Sequence, residues 1–165
     1  MSKRDHWHPR EYHTFDDIKL EIDRFQAAHE AGSLRTTGNW SAGQILEHCG
    51  VPIGLSIDGW LNEQGQAIKF PFYLRFFGAV LIKPTLGRIK ARPGIKVPKQ
   101  ASRLLPQGDR TFEDGMRIFR ENLARLDAGE QMTKPSPLLG KMSHTQWTKL
   151  HLDHCRLHFG FIQYQ

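Results

Sequence analysis

Four stretches of the chain combine a helix-start signal with apolar residues that recur at helical spacing. In each one, a serine or threonine is followed three residues later by an aspartate or a glutamine, a pairing typical of a helix N-terminus. The apolar residues that follow recur about every 3.6 positions, so each helix should present one face to a core. The pattern predicts amphipathic helices near residues 14–31, 41–62, 111–128 and 143–162.

A fifth apolar segment, rich in aromatic side chains, lies between the second and third of these helices. Its apolar spacing predicts a helix over 70–83 that begins after Pro71. The segment is too short to span a bilayer and contains Arg75, so we interpret it as a crossover helix in the core rather than a helix on a membrane surface. No stretch alternates apolar and polar residues convincingly as a strand does. We therefore expect an all-α fold, a four-helix bundle with an extra crossover helix.

Positive charge is concentrated in one segment. The formal net charge is +6, yet residues 83–103 contain seven cations and no acidic residue, which leaves the rest of the chain close to neutral. Because prolines and glycines interrupt this segment, we expect an irregular basic arm over residues 84–108. We interpret the positive side chains of the arm as solvated. The alternative is that they bind an anionic substrate. The arm lacks the interleaved aromatic residues and the recognition helix of a nucleic-acid interface, so nucleic acid is not expected as a partner.

The length of the chain and its cysteine content limit the classes of protein to which it can belong. A chain of 165 residues fits a single domain, which we place at residues 1–165. The N-terminal residues are polar and charged and do not resemble a signal peptide. Two cysteines do not make a disulfide scaffold, so a cytoplasmic protein is expected. His6, His8 and His13 lie in an N-terminal segment that we expect to be frayed rather than a metal-chelating tip.

Three histidines lie on the apolar face of the predicted helix 143–162. His154 and His158 are four residues apart, so both imidazoles can reach one metal ion from adjacent turns. His151 is two turns from His158, roughly 10 Å along the helix axis, and these two cannot share an ion. A pair formed by His151 and His154 remains an alternative. The spacing indicates a candidate metal site but does not identify a reaction.

A third ligand is needed, because a stable zinc-like site uses at least three protein ligands. His48 is the obvious candidate, since it lies on the apolar face of the predicted helix 41–62. Pro52 follows four residues later and removes the helical bond to the His48 carbonyl, so the helix is predicted to be kinked or interrupted there. Cys49 and Cys155 each follow a histidine, about 100° around the helix from it, and are interpreted as small buried residues rather than ligands.

Two segments resemble the DinB-like superfamily of metal-binding four-helix bundles: Asn39-Trp-Ser-Ala-Gly-Gln-Ile-Leu-Glu-His48 and His154-Cys-Arg-Leu-His158. In that superfamily a Trp-Ser opening of the second helix leads to one histidine ligand, and a His-x-x-x-His pair late in the last helix supplies two more. The resemblance implies a divalent metal ion bound by His48, His154 and His158, the trio that the spacing also indicates. Residues 137–143 and 146–154 resemble an uncharacterised branch of the superfamily, whereas Pro52 and the basic arm depart from its usual pattern.

Three neutral imidazoles leave a coordination position open, and a divalent ion such as nickel or zinc lowers the pKa of a water or thiol bound there. Better-known members of the superfamily are transferases and isomerases that use low-molecular-weight thiols. The resemblance therefore implies a thiol-dependent transferase, or a related metal-assisted hydrolase, with a small-molecule substrate or thiol as its partner. Whether the protein is a monomer or a homodimer stays open at this point. The alternative is a non-catalytic, metal-stabilised binding module. Glu47, Asp153 and His151 lie near the ligands in the sequence, but none is identifiable as a general base.

The interpretation of the basic arm gives a first prediction. If residues 84–108 contribute little to the core, reversing the charge of Lys96 or Lys99 should change the free energy of unfolding by less than about 0.5 kcal/mol each, because solvated surface charges have few partners to lose. Urea denaturation of the two single variants and the double variant measures this. A double variant that fails to fold, or that loses a dimer, would show that the arm is structural.

Overall fold

The computed structural model describes residues 6–61, 65–68, 70–94, 105–106 and 108–164. Within these residues the chain is an all-α helical bundle, as predicted. Each of the four predicted long helices lies inside its predicted range. A short antiparallel pair of strands, β1 (Arg35–Thr36) and β2 (Ile162–Gln163), accompanies the helices. The α-helices are α1 (Phe15–Glu30), α2 (Ala42–Asp58), α3 (Phe72–Phe77), α4 (Phe112–Asp127) and α5 (His144–Phe159).

The predicted caps account for the starts of the long helices. Capping boxes with both reciprocal hydrogen bonds begin α1, α2 and α5, from Thr14, Ser41 and Ser143 respectively. At the start of α4, the Thr111 side chain accepts a hydrogen bond from the Asp114 backbone N–H at 3.1 Å. These bonds satisfy backbone N–H groups that the first turn of a helix leaves without partners, so the sequence fixes the helix starts locally.

The most extensive helix contact in the described part of the chain joins α2 to α4, and glycines line it. A Cβ atom on Gly50 would lie 2.8 Å from the Cα of Phe119, and one on Gly115 would lie 2.2 Å from the carbonyl oxygen of Gly43. Real Cβ atoms do not approach other atoms so closely, so these positions require glycine. The two backbones therefore lie in direct contact along this seam.

Apolar side chains from all four long helices fill the space between them. Aromatic rings surround Phe159 near the end of α5, with ring centroids 5.2 Å away for Phe25, 5.6 Å for Phe119 and 6.2 Å for Tyr12. Such tilted and edge-on contacts stabilise a core beyond the area they bury. The core includes the fully buried residues Ile18, Ile22, Phe25, Ile45, Leu46, Ile53, Phe119, Met132, Trp147 and Phe159.

The extra helix predicted over residues 70–83 is present, but its predicted placement in the core is wrong. The segment is helical, as α3 followed by a π-helical turn (Gly78–Ile82) and a 3-10 turn (Lys83–Thr85), but α3 contains no buried residue. Phe72, with 79% of its surface exposed, is the most open of its aromatic side chains. Phe70, before the helix, and Gly78, next to the Leu138 carbonyl, are the buried residues of the segment. The four long helices already enclose the core, so the apolar face of α3 has no place in it.

A kink or an interruption was predicted at Pro52; the interruption is wrong, and the kink stays a prediction. Helix α2 runs without a break from Ala42 to Asp58 and has Pro52 inside it. Proline has no N–H to donate to the carbonyl four residues earlier, so one helical bond is lost. Gly50 and Ile53, on either side of the proline, are buried in the bundle. This packing maintains the helical path through the turn that lacks the bond.

Residues 7–12 are ordered against the bundle rather than frayed. The Trp7 indole donates a hydrogen bond to the Leu157 carbonyl at 2.8 Å, and the His8 N–H donates to the Gly160 carbonyl at 2.9 Å. On another side of the same helix end, the Thr37 N–H donates to the Phe161 carbonyl at 2.9 Å, next to the β1–β2 pair. The N-terminal segment and the β1 region together hold the last turn of α5.

The described part of the basic arm is irregular, as predicted. Residues 86–94 form turns and contain neither helix nor strand. The Ala91 N–H donates to the Asp153 carboxylate on α5 at 2.8 Å, which attaches this part of the arm to the bundle. Lys96 and Lys99 lie outside the described residues. None of the described helices is both long enough and apolar enough to cross a membrane.

The glycine seam between α2 and α4 gives a prediction. Gly115→Ala should destabilise the protein by about 1–3 kcal/mol, because the new methyl group overlaps the Gly43 carbonyl and forces the helices apart. Gly38→Ala is the matched control, since its Cβ would meet only the Phe161 side chain, at 3.4 Å. The urea midpoints of both variants measure the difference. Equal stability of the two variants would contradict a direct backbone contact.

Candidate metal centre

The structure brings His48, His154 and His158 together. One ligand nitrogen from each lies within 4.8 Å of the other two, and Nε2 of His48 is 3.0 Å from Nε2 of His154. The ring centroids form a nearly equilateral triangle with sides of 4.6, 4.7 and 4.8 Å. Imidazole nitrogens that share one tetrahedral zinc ion are about 3.3 Å apart. The three histidines are therefore positioned to hold a metal ion.

Two helices provide this arrangement. His154 and His158 lie on adjacent turns of α5, and His48 lies in the middle of α2. Among the described residues, no carboxylate or thiol belongs to the group. His151 does not belong to it either, which removes the alternative pair of His151 with His154. The trio that the sequence indicates is the one that the fold assembles.

Two of the three rings, those of His154 and His158, are neutral at physiological pH. Burial lowers the pKa of His154 well below its ordinary value, and the nearby His158 and His48 lower it further. Burial, followed by the proximity of His48, lowers the pKa of His158 to about 3. A metal ion binds the neutral form of imidazole, so both environments keep these side chains in the form that a ligand needs.

Trp40 covers one side of the three histidines. Its ring stacks on His158 with a centroid distance of 5.2 Å and an interplanar angle of 15°, and its edge meets His48 at 4.9 Å. Trp40 immediately precedes Ser41, the N-cap of α2, so the start of the helix fixes its position. The sequence analysis placed Trp40 in the Trp-Ser motif that opens the second helix, but it did not predict that the ring packs against the histidines.

A cavity of about 570 Å³ lies on another side of the histidines. His48 and His154 border it, whereas His158 does not. Its volume is in the range of small-molecule sites, and its walls are mainly apolar. These walls include Val51, Pro52, Leu55, Trp60, Ile68, Phe70, Ile82, Leu138, Leu139, Trp147 and Leu150.

Neither acidic candidate for a general base is free for that role. The Glu47 carboxylate, at the cavity wall, pairs with Arg110 at 2.5 Å. The two Asp153 oxygens are occupied by the Arg156 guanidinium and the Ala91 N–H, both at 2.8 Å. Asp153 therefore anchors the basic arm rather than serving the histidines.

The two cysteines are buried and free, as interpreted from the sequence. Burial raises the pKa of the Cys49 thiol well above its ordinary value, and the neighbouring Cys155 raises it further. A protonated thiol is a poor metal ligand, because the thiolate is the form that binds. Cys49 and Cys155 are core residues of α2 and α5.

The buried histidines give a prediction about pH and stability. The folded protein holds His151 and His158 at a pKa of about 3, whereas histidine in an unfolded chain titrates near 6.5. Between these pH values the unfolded chain binds protons that the folded chain does not. The free energy of unfolding should therefore fall as the pH falls below about 6.5, by about 1.4 kcal/mol per pH unit for each histidine.

Urea denaturation of metal-free protein between pH 7.5 and pH 5, with a chelator present, measures this slope. The His151→Phe variant keeps an aromatic ring at the position and removes one titrating group. Its slope below pH 6 should be shallower than that of the unsubstituted protein by about 1.4 kcal/mol per pH unit. Identical slopes would mean that His151 is not held neutral by burial.

Comparison with known protein families identifies the family to which the chain belongs. The family described as proteins of unknown function, DUF1569, matches residues 7–165. No curated protein and no solved structure matches the chain. The matched range contains the three histidines, Trp40 and every residue of the cavity wall. The chain therefore belongs to the DUF1569 family of proteins of unknown function.

Proposed function

We propose that this protein is a metal-dependent enzyme in which His48, His154 and His158 bind one divalent ion, nickel or zinc, at the wall of a substrate cavity. The reaction class we propose is transfer of a thiol, with metal-assisted hydrolysis as its near relative. The observation that carries the proposal is the position of the three imidazoles, whose ligand nitrogens lie within 4.8 Å of one another beside a mainly apolar cavity of about 570 Å³.

Metal binding accounts for the cluster physically. Polar groups in a protein interior need partners, and three imidazoles packed around a common point would repel one another if they were protonated. Burial keeps His154 and His158 neutral, and the 3.0 Å separation of the His48 and His154 nitrogens suits ligands of one ion. The described residues add no further ligand of the usual types, so the ion would keep at least one position for water or for a substrate.

The cavity favours an enzyme over a purely structural site. Structural zinc sites use four protein ligands and are closed, whereas catalytic sites use three and leave one position open. When bound, the ion would lower the pKa of a water or thiol in that open position. The chain supplies the other requirements: the apolar walls exclude water and bind the substrate body, and Trp40 packs against the rings of His158 and His48.

The helical fold and the histidine trio support placing this family in the DinB-like superfamily, as the residues of α2 and α5 indicate. The thiol-dependent members of that superfamily make a low-molecular-weight thiol the first class of cofactor to test. The alternative function is a non-catalytic binding module stabilised by metal. The observation in its favour is that His48 belongs to α2 and the other two ligands to α5, so that an ion would join two helices.

Metal content tests the site. The purified protein should hold about one equivalent of nickel or zinc, and alanine at His48, His154 or His158 should lower the content at least tenfold, because two imidazoles do not make a stable site. The His151→Phe variant is the matched control, since His151 is another buried histidine of α5 that lies outside the group. Elemental analysis after gentle purification provides the measurement. Full metal content in both His48→Ala and His158→Ala would refute the proposed site.

The accessibility of the ion distinguishes the two functions. In cobalt-substituted protein, a small thiol such as 2-mercaptoethanol should change the visible spectrum and add a sulfur-to-cobalt charge-transfer band, because a coordination position faces the cavity. Filling the cavity with a larger residue, as in Leu55→Trp, should reduce this response without lowering the metal content. A spectrum that no thiol changes, together with a large gain in thermal stability on metal binding, would favour the binding module.

A further inference from the structure

His151 is a buried polar residue for which the proposed metal site has no use. Its side chain is 1% exposed, and its ring stacks on Trp147 with a centroid distance of 5.2 Å and an interplanar angle of 8°. It lines the same cavity as His48 and His154. One ring nitrogen, Nε2, lies 3.3 Å from the Ser56 hydroxyl oxygen. The other, Nδ1, is buried and has no hydrogen-bond partner within the described part of the chain.

The surroundings of Ser56 determine which nitrogen carries the proton. The Ser56 hydroxyl donates to the Ile53 carbonyl at 2.6 Å, so its only hydrogen is already used. The hydroxyl oxygen can therefore only accept from His151, which places the ring proton on Nε2. Burial keeps the ring neutral by lowering the pKa of His151 to about 3. Nδ1 then presents a bare lone pair, an acceptor without a donor.

A second residue that lines the cavity carries a buried hydrogen-bond donor rather than an acceptor. The indole Nε1 of Trp60 is a buried donor without a hydrogen-bond partner among the described residues. Trp60 stacks on Trp147 with a centroid distance of 6.1 Å and an interplanar angle of 13°, so Trp147 orients both Trp60 and His151. Residues that line the mainly apolar cavity thus carry one buried acceptor without a partner in the part of the chain that the structure describes, His151 Nδ1, and two such donors, Trp60 Nε1 and Arg110 Nε. The charge of Arg110 is already paired with Glu47. Buried polar atoms of this kind normally have partners, and a bound molecule can provide them.

We propose that the cavity binds a small, mostly apolar, uncharged molecule with a hydroxyl or amide group, which donates a hydrogen bond to His151 Nδ1. Trp60 Nε1 donates to an acceptor on the same molecule. This inference rests on the proposed function, because it describes the substrate that would reach the metal site. His151 is a specificity-determining residue: a carboxylate or phosphate placed against its lone pair would be repelled, whereas a neutral donor is stabilised.

The position of His151 on α5 also sets where the substrate's polar group lies relative to the three histidines. His151 precedes His154 by three residues, which is roughly 5 Å along the helix axis. A hydroxyl or amide held at His151 leaves another part of the same small molecule beside His48 and His154. A molecule of this class therefore spans from the polar anchor to the proposed open coordination position.

A pair of isosteric probes tests the proposal on metal-loaded protein. Para-cresol and para-xylene have nearly the same shape, and only the first carries a hydroxyl group. Titrations followed by ligand-observed NMR should show about fivefold or greater preference for para-cresol, the ratio that one hydrogen bond provides. In His151→Phe the preference should fall to less than about twofold, because the ring remains and the acceptor is lost. His151→Gln, which restores an acceptor oxygen, should recover part of it.

Two further variants keep the test decisive. Ser56→Ala removes the group that fixes the proton on Nε2, so the preference for para-cresol should fall although His151 is intact. His13→Phe changes an exposed histidine and should leave the preference unchanged. An unchanged preference in either His151→Phe or Ser56→Ala would overturn the proposal, so the test remains decisive if one of the two variants folds poorly.

The inference and the proposed function can fail separately. The His158→Ala variant should lack metal but keep the para-cresol preference, because His158 does not border the cavity. Normal metal content with a preference independent of His151 would defeat the substrate inference alone. A His151-dependent preference in a protein that binds no metal would support the inferred binding site and defeat the proposed metal enzyme.

Discussion

The direct contact of α2 with α4 is the constraint on which the site depends. Gly43 and Gly50 place one face of α2 directly against the backbone at Thr111 and Phe119, and Gly54 leaves room on the same side for the Asn122 side chain of α4. At 100° per residue, His48 lies about 200° around the helix from Gly50, on nearly the opposite face. Fixing the glycine face on α4 therefore turns His48 towards α5. The rotation of one helix, set by its smallest residues, decides where its imidazole lies.

Helix α5 requires a complementary constraint, because it supplies two of the three histidines near its C-terminal end. Its start is fixed by the Ser143 capping box, and its last turn is held by Trp7 and His8 on one side and by the β1 region on another. Helix ends ordinarily fray, since their last carbonyl groups lack partners within the helix. The Leu157 and Gly160 carbonyls have partners from the N-terminal segment, so His158 lies in an ordered turn.

Features governed by local chemistry could be predicted from the sequence. The caps at Thr14, Ser41, Thr111 and Ser143 use hydrogen bonds to residues three positions away, and all four long helices start where these residues indicate. The neighbouring turns that carry His154 and His158 follow from helical periodicity alone. Their meeting with His48 depends on tertiary packing, and the sequence indicated it only through apolar faces and through the resemblance of two segments to a superfamily.

The predictions that proved wrong concern features that tertiary packing determines rather than the local sequence pattern. An aromatic stripe looks the same in a core helix and in the exposed α3, because the pattern does not reveal whether a core has room for it. Pro52 breaks an isolated helix, but neighbouring buried residues hold α2 together. The proton on His151 Nε2 depends on a serine 95 positions away, which no spacing rule could have identified. The single-domain boundary and the identity of the metal remain predictions.

The stacking of Trp40 on His158 has a practical consequence. Of the four tryptophans in the chain, Trp40 is the one whose ring contacts members of the histidine trio, whereas Trp60 and Trp147 stack on each other at the cavity wall. An open-shell nickel ion held by the trio would quench the emission of Trp40 at short range, whereas zinc, with its filled d shell, would leave it bright. The protein thus carries its own optical indicator, able to distinguish the two metals without any added dye.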